Sequence, residues 1–86
     1  MTHFEEYIRD ALAVLMEMPA QDISIADDLS EQGVDSLVGL RLARKIEQYT
    51  GRAIELEWLY DYPTIASLAQ FIEQHNLAPA PAALPT

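Results

Sequence analysis

The sequence contains no cysteine, and only five of its 86 residues are lysine or arginine. Without cysteine there are no disulfides and no thiolate metal sites, so any thiol chemistry must come from an attached group. Fourteen acidic residues bring the formal net charge to −9, which argues against nucleic acid and anionic membranes as partners. No apolar run is long enough to span a bilayer and no secretion signal is evident, so a cytoplasmic location is expected.

Residues suited to metal binding or nucleophilic catalysis are scarce. The two histidines, His3 and His75, lie near opposite ends of the chain, where a lone histidine is usually a surface residue. No metal site is therefore predicted. A serine hydrolase is also disfavoured, because the chain has no Gly-x-Ser-x-Gly elbow and offers Ser36 no other histidine as a base. The sequence does not predict an autonomous enzyme.

The first half of the chain predicts one amphipathic helix and one long loop. Apolar residues recur at helical spacing from Phe4 to Met18, and Thr2 with Glu5 matches a capping box. Pro19 is expected to end this helix. Residues 19–35 are acidic and have no helical period, and three apolar residues are expected to pin them to the core, namely Ile23, Ile25 and Leu29.

The second half predicts two further main helices and a short one. One helix is expected to begin at Asp35 or Ser36 and to end before Gly51, since glycine is the preferred left-handed C-cap. Residues 53–63 favour a single helical turn. Thr64 is a plausible N-cap for the last helix, whose buried face would be Ile65, Leu68, Ala69 and Ile72.

These elements predict an all-α fold, a small bundle of three main helices plus one short helix, with a long loop between the first and second helices. Half of the residues are apolar, which is typical of a folded domain with a modest core. Residues 77–86 are rich in alanine and proline, which is typical of a flexible tail or linker. The folded domain is therefore expected to be residues 1–76.

Ser36 is the residue at this predicted helix start that could carry a modification. Serine and aspartate are preferred N-caps, so a serine here needs no further role. A phosphodiester on its oxygen would nevertheless be favoured, because the free N–H groups and the dipole of a helix N-terminus both stabilise an anion. These physical arguments permit a modification of Ser36 and do not require one.

The run Gly33-Val34-Asp35-Ser36-Leu37 resembles the cofactor-attachment site of acyl carrier proteins. Over residues 4–75 the order of motifs resembles that of the acyl carrier domains of modular polyketide synthases. The motifs that follow the attachment-like run are Thr50-Gly51, Leu59-Tyr60-Asp61-Tyr62-Pro63-Thr64 and Ile65-Ala66-Ser67-Leu68-Ala69. Asp35 before the serine favours an acyl carrier over a peptidyl carrier, in which a second glycine is usual.

The resemblance implies a right-handed, acyl-carrier-like bundle with 4′-phosphopantetheine attached covalently to Ser36. The thiol of that arm would hold acyl groups as thioesters, so the protein would be a carrier and not an enzyme. Asp35 would help to position a phosphopantetheinyl transferase and its magnesium. The resemblance further implies a monomer that docks transiently, through Leu37, Val38 and Arg41, with an acyltransferase, a ketosynthase and other polyketide synthase enzymes.

The second helix departs from the family's pattern. Many carriers have an acidic helix here, whereas this chain has Arg41, Arg44 and Lys45. Partners are therefore expected to recognise apolar contacts near Leu37 together with the acidic loop, with the basic residues selecting against wrong enzymes.

Three aromatic residues, Trp58, Tyr60 and Tyr62, are expected to close the core before the last helix. As an alternative, Trp58 would line a shallow apolar cleft and contact the tethered acyl chain. Three other functions remain open, namely a peptidyl carrier, a fatty-acid carrier and a small acidic docking module that is never modified.

Overall fold

The structure is a computed structural model that describes residues 1–75, so the predicted tail or linker at residues 77–86 lies outside the described residues. Over residues 1–75 the chain forms four α-helices, two 3₁₀ turns and no strand. The predicted bundle of three main helices plus one short helix is confirmed. The helices are α1 (His3–Met16), α2 (Ser36–Thr50), α3 (Leu56–Asp61) and α4 (Ile65–Gln74), and the 3₁₀ turns are Ala20–Asp22 and Ser30–Gln32.

None of the helices within residues 1–75 combines the length and the apolar character needed to cross a membrane.

Both ends of α1 are defined by hydrogen bonds. At its start the predicted capping box is present, since Thr2 Oγ1 accepts from the N–H of Glu5 at 3.0 Å and Glu5 Oε1 accepts from the N–H of Thr2 at 2.8 Å. At its end the prediction is wrong, because α1 stops at Met16 and not at Pro19. Glu17 adopts the left-handed conformation, with φ 56°, and its N–H donates to carbonyls of the preceding turn.

The three main helices enclose a single core, to which α3 adds Leu59. The predicted buried face of α4 is confirmed, since all four of its residues are buried. Burying an isoleucine or leucine side chain contributes about 1.5–3 kcal/mol, so the fully enclosed residues make a large favourable contribution to folding. The fully enclosed side chains are Ile8, Leu12, Leu42, Ile46, Ile65, Leu68 and Ile72.

The loop between α1 and α2 is attached to the core and to the start of α4. Ile23 and Leu29 are buried and Ile25 is half-buried, as predicted. The N–H of Leu29 donates to the carbonyl of Pro63 at 2.8 Å, and the N–H of Ala66 donates to the carbonyl of Ile25 at 3.0 Å. These contacts hold the end of the loop, and therefore the beginning of α2, in one place.

Gln32 closes the same loop through its side-chain amide. Its Oε1 accepts from the N–H of Ser24 at 2.8 Å, and its Nε2 donates to the carbonyls of Ser24 at 2.9 Å and Asp27 at 3.2 Å. The hydroxyl of Ser24 accepts from the N–H groups of Ala26 and Asp27, each at 3.1 Å. Side chains thus satisfy backbone groups that no regular secondary structure satisfies here.

At the other end of α2, Glu47 joins the helix to the segment that leads to α3. Its Oε2 accepts from the N–H of Ile54 at 2.9 Å, and Arg44 donates to the same carboxylate at 3.0 Å. The hydrogen bond from Ile54 lowers the pKa of Glu47 below its ordinary value. Gly51 ends α2 in the left-handed conformation, with φ 73°, as predicted.

Replacing Gln32 should loosen the loop. We expect Gln32→Ala to lower the free energy of unfolding by about 1–3 kcal/mol, because the N–H of Ser24 and two loop carbonyls lose a half-buried partner. Gln70→Ala, on the exposed face of α4, is the matched control and should change the value by no more than about 0.5 kcal/mol. Urea denaturation followed by circular dichroism measures both, and equal losses would show that Gln32 does not hold the loop.

Candidate functional site

Ser36 is the first residue of α2, and its side chain is exposed. The residue before it, Asp35, has extended backbone and caps the helix, since its Oδ1 accepts from the N–H of Val38 at 2.9 Å. Asp35 therefore performs the capping role, and the hydroxyl of Ser36 is not needed for it. The structure thus assigns the helix cap to Asp35 and leaves the hydroxyl of Ser36 free of that role, a choice that the sequence left open.

Gly33 allows the loop to turn into α2. It follows the 3₁₀ turn with φ 98°, a left-handed conformation that residues with a side chain rarely adopt. A Cβ at this position would also lie 3.2 Å from Cε of Met16, so there is little space for one. The glycine of the attachment-like run is therefore required by backbone geometry, three residues before the serine.

Tyr60, on α3, is the side chain that meets Ser36. The two hydroxyl oxygens, Ser36 Oγ and Tyr60 Oη, lie 3.1 Å apart, within hydrogen-bonding distance. The sequence predicted that Tyr60 closes the core, and this prediction is wrong, since Tyr60 is 62% exposed. The error arose because a helix of six residues is too short for its apolar spacing to reveal which face is buried.

A cleft of about 160 Å³ opens beside Ser36, with Asp35 and Tyr60 among its lining residues. Gly39, Leu56 and Leu59 also line it, and a Cβ at Gly39 would lie 3.4 Å from Cδ1 of Leu56 and 3.5 Å from Cδ2 of Leu59. Leu56 and Leu59 of α3 thus pack against α2 at Gly39. The remaining lining residues are Leu29, Ser30, Val34 and Pro63.

Trp58 is not among the lining residues of that cleft. Its ring packs edge-on against Phe71, with ring centroids 5.1 Å apart, and Tyr62 stacks on Phe71 at 4.3 Å. Both Trp58 and Tyr62 are half-buried against the core, so the prediction that they close it is confirmed. The geometry gives no support to the alternative in which Trp58 contacts an acyl chain in the cleft beside Ser36.

The exposed part of α2 next to Ser36 combines apolar and basic side chains. Leu37 is 56% exposed, Arg41 is exposed one turn further along, and Val38 is half-buried against the core. Arg44 forms an ion pair with Glu47 of the same helix, with Nη1 and Oε1 3.0 Å apart. Leu37 and Arg41 are therefore available at the surface, whereas Arg44 already has a partner in α2.

The site suits an anionic group on Ser36. The first N–H groups of an α-helix have no partner within the helix, and this end of the helix dipole is positive. Because Ser36 is both exposed and first in α2, a phosphate on its oxygen would lie at that positive end without displacing the cap. The residues present therefore fit a phosphate-linked arm.

Comparison with protein-family models gives one match over most of the chain, since residues 6–72 match the model for the phosphopantetheine attachment site. Among curated proteins, polyketide synthase GfsB of Streptomyces halstedii is 31% identical over 71 residues, which cover 81% of this chain and 1% of that protein. Polyketide synthase PksM of Bacillus subtilis is 33% identical over 72 residues, which cover 84% of this chain and 2% of that protein. The chain thus spans only a small fraction of these relatives' length.

Solved structures of carrier proteins share the fold. A free-standing peptidyl carrier protein from Acinetobacter baumannii superimposes with a TM-score of 0.83 and 28% identity, over 86% of this chain and 92% of that one. The HMG-ACPI domain from the CurA module of Lyngbya majuscula superimposes with a TM-score of 0.77 and 26% identity, over 84% of this chain and 73% of that one.

The capping role of Asp35 can be separated from any role of its charge. We expect Asp35→Ala to lower the free energy of unfolding by about 1 kcal/mol, because the N–H of Val38 loses its acceptor. Asp35→Asn should cost much less, since the amide oxygen can accept the same hydrogen bond. Chemical denaturation of the two variants measures this, and equal losses would mean that the carboxylate charge, and not the cap, stabilises α2.

Proposed function

Since the chain belongs to the phosphopantetheine attachment-site family, whose carrier domains are not themselves catalytic, we propose that it is an acyl carrier. The proposed carrier is of the polyketide synthase type and is modified on Ser36. One observation carries the choice of residue. Ser36 is the exposed first residue of α2, with its hydroxyl directed to Tyr60 and with the cap supplied by Asp35.

When bound, the 4′-phosphopantetheine arm supplies a terminal thiol on which acyl groups are held as thioesters. Ser36 supplies the oxygen for its attachment. The Oγ–P bond forms as a P–O bond in the pyrophosphate of coenzyme A breaks, adenosine 3′,5′-bisphosphate leaves, and the serine proton passes to a base of the transferase. The N-terminus of α2 stabilises the phosphate that results.

Asp35 is proposed to help a phosphopantetheinyl transferase and its magnesium to engage the site. Its Oδ1 accepts from the N–H of Val38, and the side chain as a whole remains exposed. A carboxylate can accept several bonds at once, and oxygen ligands are those that magnesium prefers. One side chain can therefore cap α2 and meet the metal of an enzyme that approaches Ser36.

The docking surface is proposed to include Leu37, Val38 and Arg41. Leu37 and Arg41 are four residues apart and so lie on one side of α2, beside the attachment serine. The partners would be the transferase, an acyltransferase, a ketosynthase and other synthase enzymes. Because a carrier must visit each in turn, its interfaces are expected to be small and transient.

The carrier domain is proposed to comprise residues 1–76, with residues 77–86 as a tail or a linker to further domains. A peptidyl carrier is the second candidate, because the A. baumannii structure with a TM-score of 0.83 is a peptidyl carrier protein. Asp35, where peptidyl carriers usually have glycine, favours acyl cargo. Loading assays decide between the two, since a malonyl-transferring acyltransferase and an amino-acid-activating enzyme charge different classes of carrier.

Modification of Ser36 is the first experiment. Incubation with coenzyme A, magnesium and a broad-specificity phosphopantetheinyl transferase should add the mass of one phosphopantetheine to the protein. Ser36→Ala should gain nothing, whereas Ser30→Ala, which removes an exposed serine that lines the neighbouring cleft, should be modified fully. Intact-mass spectrometry measures all three. A folded parent protein that several transferases leave unchanged would favour the unmodified docking module.

Charge reversal on α2 tests the docking surface. We expect Arg41→Glu to lower kcat/KM for acyl transfer to the modified protein by about 3- to 10-fold, because a rim charge near the attachment serine controls encounter with an enzyme. Arg52→Glu makes the same charge change beyond the opposite end of α2 and should leave the rate unchanged. Steady-state assays with an acyltransferase and a ketosynthase measure kcat/KM. Equal values for the two variants would show that Arg41 is not part of the docking surface.

A further inference from the structure

The contact between Ser36 and Tyr60 joins two exposed side chains and satisfies no buried polar group. Their hydroxyl oxygens lie 3.1 Å apart although the residues are 24 positions apart in the chain, and both side chains are exposed. An exposed hydroxyl can bond to water, so neither group needs a protein partner to avoid a desolvation penalty. The contact is nevertheless formed by the same serine to which the proposed arm is attached.

Packing of α3 on α2 sets the position of Tyr60. Leu56 and Leu59 approach Gly39 closely enough that a Cβ there would lie 3.4 and 3.5 Å from their methyl groups. Tyr60 is one helical turn after Leu56 and therefore lies on the same side of α3. The apolar contact of these leucines thus brings the phenol of Tyr60 to the start of α2.

The chemistry of the pair changes when Ser36 becomes an ester. Before modification either hydroxyl can donate, but a bond donated by Tyr60 leaves the serine O–H available to a base of the transferase. After modification Ser36 Oγ has no hydrogen, so Tyr60 becomes the donor. Hydrogen bonds to ionised acceptors are roughly twice as strong as neutral ones, so the contact would strengthen once a phosphodiester is present.

Resting on the proposed modification of Ser36, we propose that Tyr60 is a positioning residue for the attachment. Its phenol selects one rotamer of the serine hydroxyl before modification and donates to an oxygen of the phosphodiester afterwards. A serine side chain otherwise samples three staggered rotamers, and restricting a reacting group to one orientation raises its rate. The attachment site then extends beyond the run Gly33 to Leu37 and includes a residue of α3.

The test replaces Tyr60 by phenylalanine, which keeps the ring and removes the hydroxyl. We expect Tyr60→Phe to lower kcat/KM for modification by a broad-specificity transferase by about 2- to 10-fold, the worth of one neutral hydrogen bond. In the modified protein the ³¹P resonance of the phosphodiester should shift relative to wild type. Tyr49→Phe, which alters a part-exposed tyrosine near the other end of α2, is the control and should match wild type in both measurements.

A second variant separates the hydroxyl from the ring. If Tyr60→Ala is slow while Tyr60→Phe matches wild type, the ring is a docking contact for the transferase and the positioning role is wrong. An unchanged ³¹P resonance in Tyr60→Phe would show that Tyr60 does not donate a hydrogen bond to the phosphodiester. If the wild-type protein takes up no phosphopantetheine, the proposed function and this inference both fail. If the wild-type protein is modified and Tyr60→Phe matches it in both measurements, the inference alone is wrong.

Discussion

The site depends on the attachment of the loop between α1 and α2 to the start of α4. Two backbone hydrogen bonds, from Leu29 to Pro63 and from Ala66 to Ile25, join segments that are distant in the chain. A loop of this length has a large conformational entropy, and without such contacts its end would not occupy one position. Because α2 begins where the loop ends, these bonds also determine where Ser36 lies.

The hydrogen bonds that join the loop to the start of α4 also explain how a small domain can hold Ser36 in one position at its surface. The core lies behind α2 and, in residues 1–75, consists of apolar side chains, so it is rigid without contributing polar groups to the site. On the outer side, Asp35 caps the helix and α3 packs against α2 at Gly39. The helix start is thus held from three directions, while the hydroxyl of Ser36 and the side chain of Leu37 remain accessible.

That arrangement suits a carrier better than an enzyme. A carrier needs one exposed attachment point, a favourable electrostatic environment for a phosphate and a surface that several partners can bind weakly. The N-terminus of α2 supplies the environment, and the exposed side chains of Leu37 and Arg41 form the mixed surface that we propose for docking. Arg44 is paired with Glu47, whereas Arg41 lies closer in the chain to Ser36 and is exposed.

The sequence by itself determined the features that depend only on residues close together in the chain. The capping box of Thr2 and Glu5, the left-handed end of α2 at Gly51 and the buried face of α4 all follow from local spacing and backbone preference. The attachment-like run was equally visible, because its motif is contiguous. The tertiary structure alone decided the end of α1 at Glu17 and the meeting of Tyr60 with Ser36. A glutamate carries no signal for a left-handed cap, and the position of Tyr60 depends on how α3 packs on α2, an energy that no local pattern contains.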